Sequence, residues 1–168
     1  REAFDGDWFR TGDLGELDED GFLTITGRKK EMLVTAGGKN VAPAPIEDPL
    51  RAHPLVGQVV VIGDSKPFIS ALISLDPDMV MVWAQNNGIE EKLTLAEATK
   101  HPTVIAEIQK SVDEVNKLFS KAEQVRSFEI LDVELTEASG HLTPSLKIKR
   151  SKVMADFDLQ VGRIYASA

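Results

Sequence analysis

Three short stretches of this chain hold residues whose types and spacing suit work on an anion. In "HLTPSLKIKR", His141 to Arg150, the cations Lys147, Lys149 and Arg150 crowd together, with Lys152 just beyond and no carboxylate interleaved. Lys147 lies between Leu146 and Ile148. A lysine flanked by apolar residues and held in a partly dry place is a point cation whose pull on phosphate oxygens far exceeds its value in water. The plainer reading is a solvated basic loop or a weak nucleic-acid patch. In "FRTGDLG", Asp13 follows a glycine at the mouth of an expected strand. A carboxylate is acceptor-only and can take two hydrogen bonds from vicinal ribose hydroxyls; a turn closed by an Asx cap needs the same letters. In "GRKKEMLVTAGGKNVAP", Arg28 offers a planar fork for phosphate or carboxylate. Gly37 and Gly38 have no Cβ, so backbone there can approach a ligand closely. A charge run before a hairpin turn is the competing reading.

The elements that must position these residues can be read from periodicity and breakers. "DLGELDEDGFLTITG" alternates around a turn, and Gly21 can supply a positive φ; this predicts a β-hairpin with strands near 13–18 and 22–26. "EMLVTAGGKNVAP" predicts two short strands about a Gly-Gly turn. Pro43 and Pro45 then open a short helix through about Arg51, which Pro49 should kink or shorten. "GQVVVIGD" and "FISALISL" are apolar strands joined around "DSKP". Asp76-Pro77 opens a helix ending near "NNG", and "TLAEAT" is a short helical segment. Pro102 starts the longest helix, with Val104, Ile105, Ile108, Val112, Val115, Leu118 and Phe119 on one face over about five turns. "VRSFEILD" is a last strand, and "VMADFDLQVGRIYA" has mixed helical character. Strands and helices are mixed with few residues between strands, so the fold class is α+β rather than a parallel doubly wound sheet.

Composition narrows the partners. The 168 residues carry a net charge of −8, against a surface built mainly for nucleic acid or anionic lipid. The acid is concentrated early, with eight acids and two bases from Arg1 to Gly27, before "GRKKEM" reverses the sign. The chain has no cysteine, which excludes disulfides and thiolate metal sites, and its three histidines lie far apart with no ligand spacing. No apolar run approaches the roughly 18–20 residues needed to span a bilayer, and no signal-peptide pattern is present. The expectation is a cytoplasmic protein with at most peripheral membrane contact.

Taken together and in order, "FRTGDLG", "GRKKEMLVTAGGKNVAPAPIE" and "LTPSLKIKR" resemble the closing motifs of the adenylate-forming superfamily. That family includes acyl-CoA synthetases, peptide-synthetase adenylation domains and luciferases. The resemblance covers nearly the whole chain. Many members have glycine immediately before the closing-motif lysine, where this chain has Leu146. That departure and the long 77–120 segment are similar to the long-chain fatty acyl-CoA synthetase branch.

The resemblance implies an α+β C-terminal domain with a short antiparallel sheet flanked by helices, preceded by a β-hairpin from the end of a large domain. Residues 1–27 would close the large nucleotide-binding domain, 28–31 form a hinge, and 32–168 the mobile domain, with an extra helical insertion at about 77–120. The family's phosphate loop, adenine pocket and acyl tunnel do not occur in these residues. The chain is therefore expected to be an inactive C-terminal fragment of an ATP-dependent long-chain fatty acid–CoA ligase. By the resemblance Lys147 is catalytic, Asp13 and Arg28 bind nucleotide, and Lys30 is the hinge residue. Thr35, Ala36, Gly37 and Gly38 would line the coenzyme A tunnel, and Lys149, Arg150 and Lys152 would be support or solvated neighbours. The substrates are a long-chain fatty acid, ATP with Mg2+ held mainly by the large domain, and coenzyme A, with no metal site in these residues. Two other readings stay open: a fatty acyl-AMP ligase that hands its product to a carrier protein, and a non-enzymatic binding module on the same fold.

Overall fold

The computed structural model describes residues 3–89 and 92–166. The ends of the 1–27 and 32–168 spans, and Glu90 and Glu91 within the 77–120 segment, lie outside the described residues. The chain opens with a two-residue hairpin, β1 (Phe4–Asp5) and β2 (Trp8–Phe9), followed by the longer hairpin of β3 (Asp13–Leu17) and β4 (Leu23–Arg28). The second hairpin falls where alternation places it. Its turn is held by the Asp18 carboxylate, which accepts from the N–H of Asp20 at 3.0 Å and of Phe22 at 2.8 Å, while Gly21 takes φ +84°. That φ is the left-handed region glycine enters without steric cost. Apolar side chains of these hairpins stand in solvent: Trp8 is 81% exposed, and Phe9, Leu17, Phe22, Leu23 and Ile25 are exposed with it.

A single 3₁₀ turn, Lys29–Glu31, leads into β5 (Leu33–Val34) and β6 (Asn40–Val41), an antiparallel pair around the glycine turn. Helix α1 (Ala44–Arg51) follows and runs through Pro49 to the expected end. Pro49 removes one donor from the helix. The Ala52 N–H still reaches the Asp48 carbonyl at 3.1 Å and closes the last turn.

The main sheet joins β7 (Val56–Ile62), β8 (Ile69–Leu75) and β9 (Val125–Leu131) in that order. β7 and β8 are antiparallel, as expected for neighbouring strands. β9 corrects the expectation of an antiparallel sheet, because it pairs with β8 in parallel, Ala71 opposite Phe128 and Ile73 opposite Ile130. A parallel pair cannot be closed by a tight turn and needs a long crossover. The segment expected as a helical insertion supplies it: α2 (Pro77–Asn86), α3 (Leu95–Ala98) and α4 (Pro102–Asn116) carry the chain from β8 to β9.

Local sequence signals start and stop these helices. The Asp76 carboxylate accepts from the N–H of Asp78 and Met79 at 3.0 Å each, and Thr94 and Glu97 form a reciprocal capping box. α4 ends about a turn earlier than its apolar spacing suggests. The Gln124 amide takes the carbonyls of Asn116 and Phe119, and the Asn116 side chain pairs with both backbone groups of Val125. Those bonds divert the chain into β9, and Leu118 is left exposed.

Both faces of the sheet are covered. Val59, Val61, Ala71, Ile73 and Leu75 meet α1 and the Val104–Ile108–Val112–Val115 face of α4, each fully buried side chain contributing about 1.5–3 kcal/mol. Val60, Ile62 and Leu72 face Val153 of α5 (Arg150–Asp156), Val161 and Ile164 of α6 (Asp158–Ala166), and Phe157 between the two helices. This two-sided burial is why "VVVI" and "ISALISL" read as unbroken apolar runs. Among the described residues no helix is long and apolar enough to cross a membrane.

Candidate functional site

Lys147 sits on a short closed turn between the main sheet and α5. Leu142 and Ile148 form an antiparallel bridge, and inside it the Thr143 N–H donates to the Lys147 carbonyl at 2.8 Å. The Leu146 N–H reaches back to the Thr143 carbonyl at 2.8 Å, and the Thr143 hydroxyl accepts from the Lys147 N–H at 3.0 Å. Closing the chain this tightly forces Leu146 to φ +59°, a left-handed conformation costing a branched side chain roughly 1–2 kcal/mol. Leu146 therefore occupies, as a non-glycine, a conformation that glycine takes freely. The expectation of a partly dry lysine is not met within this chain. Lys147 is exposed, Leu146 is 67% exposed, and the Lys147 ammonium has no carboxylate partner among the described residues.

The turn is anchored at both ends. Upstream, His141 is buried; its Nδ1 lies 2.7 Å from the Ser139 hydroxyl and its Nε2 2.9 Å from the Asp156 carboxylate. Lys152 also pairs with Asp156, and these contacts, Lys152 first and His141 second, hold the Asp156 carboxyl below the usual carboxylate range. Downstream, Arg150 turns inward. Its Nη2 donates to Glu47 Oε1 at 2.7 Å and its Nη1 to the Val61 carbonyl at 2.8 Å. Arg150 and Lys152 are thus tied into the fold, whereas Lys149 is exposed and, among the described residues, bonds through its backbone alone.

Residues 28–33, α1 and the Leu146–Met154 segment enclose an open cleft of about 930 Å³, with Arg28, Lys30, Lys147 and Arg150 among its cations and Glu31, Asp48 and Asp64 among its acids. A second cleft of about 500 Å³ shares Arg28, Glu31, Ala44 and Asp48 with the first and includes Asp13. Asp13 and Arg28 are register partners across β3 and β4, and Arg28 Nε donates to Asp13 Oδ1 at 2.9 Å. Four of the residues singled out in the sequence, Asp13, Arg28, Lys30 and Lys147, therefore line two adjoining clefts.

Thr35, Ala36, Gly37 and Gly38 are placed elsewhere, on the β5–β6 turn, and do not line the Lys147 cleft. Thr35 accepts from the Gly38 N–H through its carbonyl at 2.8 Å and from the Lys39 N–H through its hydroxyl at 3.1 Å. Gly38 holds φ +77° with open space where a Cβ would stand. The turn leans on the β7–β8 connection, with the Ala36 N–H on the Lys66 carbonyl at 2.9 Å and the Ser65 N–H on the Val34 carbonyl at 2.7 Å.

The sequence did not single out Glu47, Ser139, His141 or Asp156. Glu47 could have been suspected: it falls on the apolar side of α1 with Ile46 and Leu50, where an unpaired carboxylate would be costly. The Ser139–His141–Asp156 contacts leave no local pattern, because Asp156 comes from a different element.

An α+β domain whose closing lysine stands on an exposed, anchored turn defines a class, and the comparisons place the chain in it. The chain belongs to the family of AMP-binding enzyme C-terminal domains, whose model matches residues 30–168. It is 54% identical over 164 residues to the long-chain-fatty-acid–CoA ligase FadD15 of Mycobacterium tuberculosis, covering 98% of this chain and 27% of that protein. It is 35% identical over 186 residues to the long-chain-fatty-acid–CoA ligase ACSBG2 of Gallus gallus, covering 100% of this chain and 24% of that protein. The fold is similar to the adenylation domain of a carboxylic acid reductase from Segniliparus rugosus, solved with AMP and a co-purified carboxylic acid. There the TM-score is 0.75 at 25% identity, over 99% of this chain and 24% of that one. A Mycobacterium tuberculosis fatty acyl CoA synthetase matches with a TM-score of 0.53 at 26% identity, over 95% of this chain and 26% of that one. The chain spans about a quarter of the length of the curated relatives it matches.

Proposed function

We propose that this chain is the mobile C-terminal part of an ATP-dependent ligase that activates a long-chain fatty acid as its acyl-adenylate and transfers the acyl group to coenzyme A. The observation that carries the reading is Lys147: an exposed ammonium with no carboxylate partner among the described residues, held on a hydrogen-bonded turn beside Arg28 and Lys30. A cation fixed in this way is complementary to an anion delivered by another body. The exposed Trp8, Phe9, Phe22 and Leu23 fit the same reading, since a covering domain would bury them.

In the first half-reaction a fatty carboxylate oxygen attacks the α-phosphorus of ATP, the bond to the bridging oxygen breaks, and pyrophosphate leaves with the electron pair. Negative charge grows on the phosphoryl and bridging oxygens, where a preorganised donor is most effective. Lys147 stabilises that charge and holds the carboxylate, Asp13 accepts from the ribose hydroxyls, and Arg28 contacts the nucleotide's ribose or phosphate region. The domain then turns about residues 28–31. That segment is a single 3₁₀ turn between extended residues and has no buried side chain, a character suited to a hinge about Lys30. Lys147 withdraws, and the Thr35–Gly38 turn lines the path by which the coenzyme A thiol reaches the acyl carbonyl and displaces AMP.

Mg2+ would enter with the ATP phosphates; among the described residues no group of three or more His, Asp or Glu side chains is placed to hold it. The CoA-ligase activity named for the relatives supports coenzyme A over a carrier protein as acceptor. The reading carries a cytoplasmic location with at most peripheral membrane contact.

The test is pyrophosphate release by the full-length protein across acids of increasing chain length, with and without coenzyme A. The expected result is release that depends on long acids, with thioester formed when coenzyme A is added, and no turnover by residues 1–168 alone. Acyl-adenylate that accumulates without ever becoming a thioester would point to a carrier-protein acceptor. Acid-independent release would remove the ligase reading.

A further inference from the structure

Arg150 follows Lys147 by three residues and lines the same cleft, but its guanidinium is engaged inside the protein. Its guanidinium forks onto the Val61 carbonyl at 2.8 Å and Glu47 Oε1 at 2.7 Å. The same Glu47 oxygen accepts from the Val61 N–H at 2.7 Å. Glu47 and Arg150 therefore take both backbone polar groups of one residue on β7, on the side away from its partner strand β8. The Glu47 carboxylate is almost fully enclosed, at 5% residue exposure. One guanidinium thus ties together α1, the free edge of β7 and the first residue of α5.

A buried ion pair is weak evidence for stability in itself, since desolvation offsets much of its attraction. Its geometry is more informative. A planar fork satisfies two acceptors in fixed directions, which the rounded, rotatable ammonium of lysine cannot do. Between Arg150 and the turn there is little slack. The Lys149 N–H donates to the His141 carbonyl at 2.8 Å, Ile148 bridges Leu142, and Leu146 is held at φ +59°. Unfavourable backbone of this kind persists only where surrounding contacts over-determine it.

We infer that Arg150 is a positioning residue for Lys147: its fork onto Glu47 and Val61 fixes the Lys147 turn to α1 and the sheet, so the domain carries the ammonium as one rigid body rather than on a loop free to swing. The inference rests on the adenylation role proposed for Lys147. A displacement of about 1 Å at the reacting centre is enough to cost on the order of 100-fold in rate.

The experiment uses the full-length ligase and measures the two half-reactions separately, with Lys147→Ala as the control for the functional reading. Arg150→Lys keeps a cation for Glu47 and loses the fork. It is expected to lower kcat for adenylate formation about 10- to 100-fold. The KM for ATP and for the fatty acid, thioester formation from supplied acyl-adenylate and the thermal midpoint should stay close to wild type. Glu47→Asp, which keeps the charge and shortens the arm, is expected to give the same split, and it decides the matter if Arg150→Lys does not fold. Wild-type adenylation in both variants, or equal loss in both half-reactions, overturns the inference. Wild-type adenylation by Lys147→Ala would instead overturn the proposed function.

Discussion

Arg28 and Asp13 are partners twice over: they face each other in the β3–β4 register, and Arg28 Nε donates to Asp13 Oδ1 at 2.9 Å. Among the described residues that is the one side-chain hydrogen bond either group makes. Because the pair is largely solvated, its own contribution to stability is about 0–1 kcal/mol. If Asp13 accepts from the ribose as proposed, Asp13→Ala in the full-length protein should raise the KM for ATP about 10-fold, in line with loss of a charge-assisted hydrogen bond. Thermal unfolding should move by no more than a few degrees. An unchanged KM would show that Asp13 serves only Arg28.

Lys147 is exposed on an anchored turn and has no carboxylate partner among the described residues, so removing its ammonium should change chemistry and not folding. Lys147→Ala is expected to slow adenylation by on the order of 10²–10³. Thioester formation from supplied acyl-adenylate should be largely spared. Equal loss in both half-reactions would sink the role assigned to it.

Lys30 lies in the 3₁₀ turn of Lys29–Glu31, with extended backbone at Arg28 and at Met32. Proline locks φ and would resist rotation there. Lys30→Pro should slow thioester formation more than adenylation when each is followed as a single turnover. Unchanged thioesterification would count against a hinge at this position.

Leu146 holds φ +59° while its side chain is mostly in solvent. Glycine would remove roughly 1–2 kcal/mol of left-handed strain, offset by about 0.5–1 kcal/mol for its freedom in the unfolded chain. Leu146→Gly should be neutral to slightly stabilising in denaturant titrations. Leu146→Val, β-branched at a positive φ, should be less stable than wild type, because branching at Cβ adds to the strain that leucine already carries there. A destabilised glycine variant would mean that the Leu146 side chain makes stabilising contacts that outweigh its backbone strain.

Asp156 predicts an acid-side dependence of the turn. Its folded carboxyl is held low by Lys152 and His141, so what it adds is fully present above the unfolded carboxylate value of about 4. That contribution is lost as pH falls through the lower, folded value. The stability difference between wild type and Asp156→Asn should be constant near neutral pH and shrink toward zero in acid. A difference that persists undiminished through the acid range would mean the asparagine acts by packing, not by charge.

How legible the molecule was follows from the range of each interaction. The Asp18–Gly21 turn, the Asp76 helix start, the short helix at "TLAEAT" and the Val104–Val115 face of α4 depend on residues within a few positions of one another, and all appear where spacing places them. The parallel partnership of β8 and β9 does not. Alternation and apolar runs report that a strand forms, not which strand it joins or in what direction. The early end of α4 is similar, since Gln124 and Val125 capture its last turn from the following segment.

By itself the sequence determined an α+β chain carrying three ordered motifs, and within them the types Lys147, Arg28 and Asp13, because a cation, a fork and a carboxylate have their chemistry wherever they lie. Tertiary structure alone decided what each is aimed at. It turned Lys147 outward and Arg150 inward although three residues separate them, and it brought Glu47 to Arg150 across 103 positions. The physical reason is that direction comes from backbone closure and burial: a φ of +59° at Leu146 and an enclosed carboxylate at Glu47 leave one of two neighbouring cations exposed and engage the other within the fold.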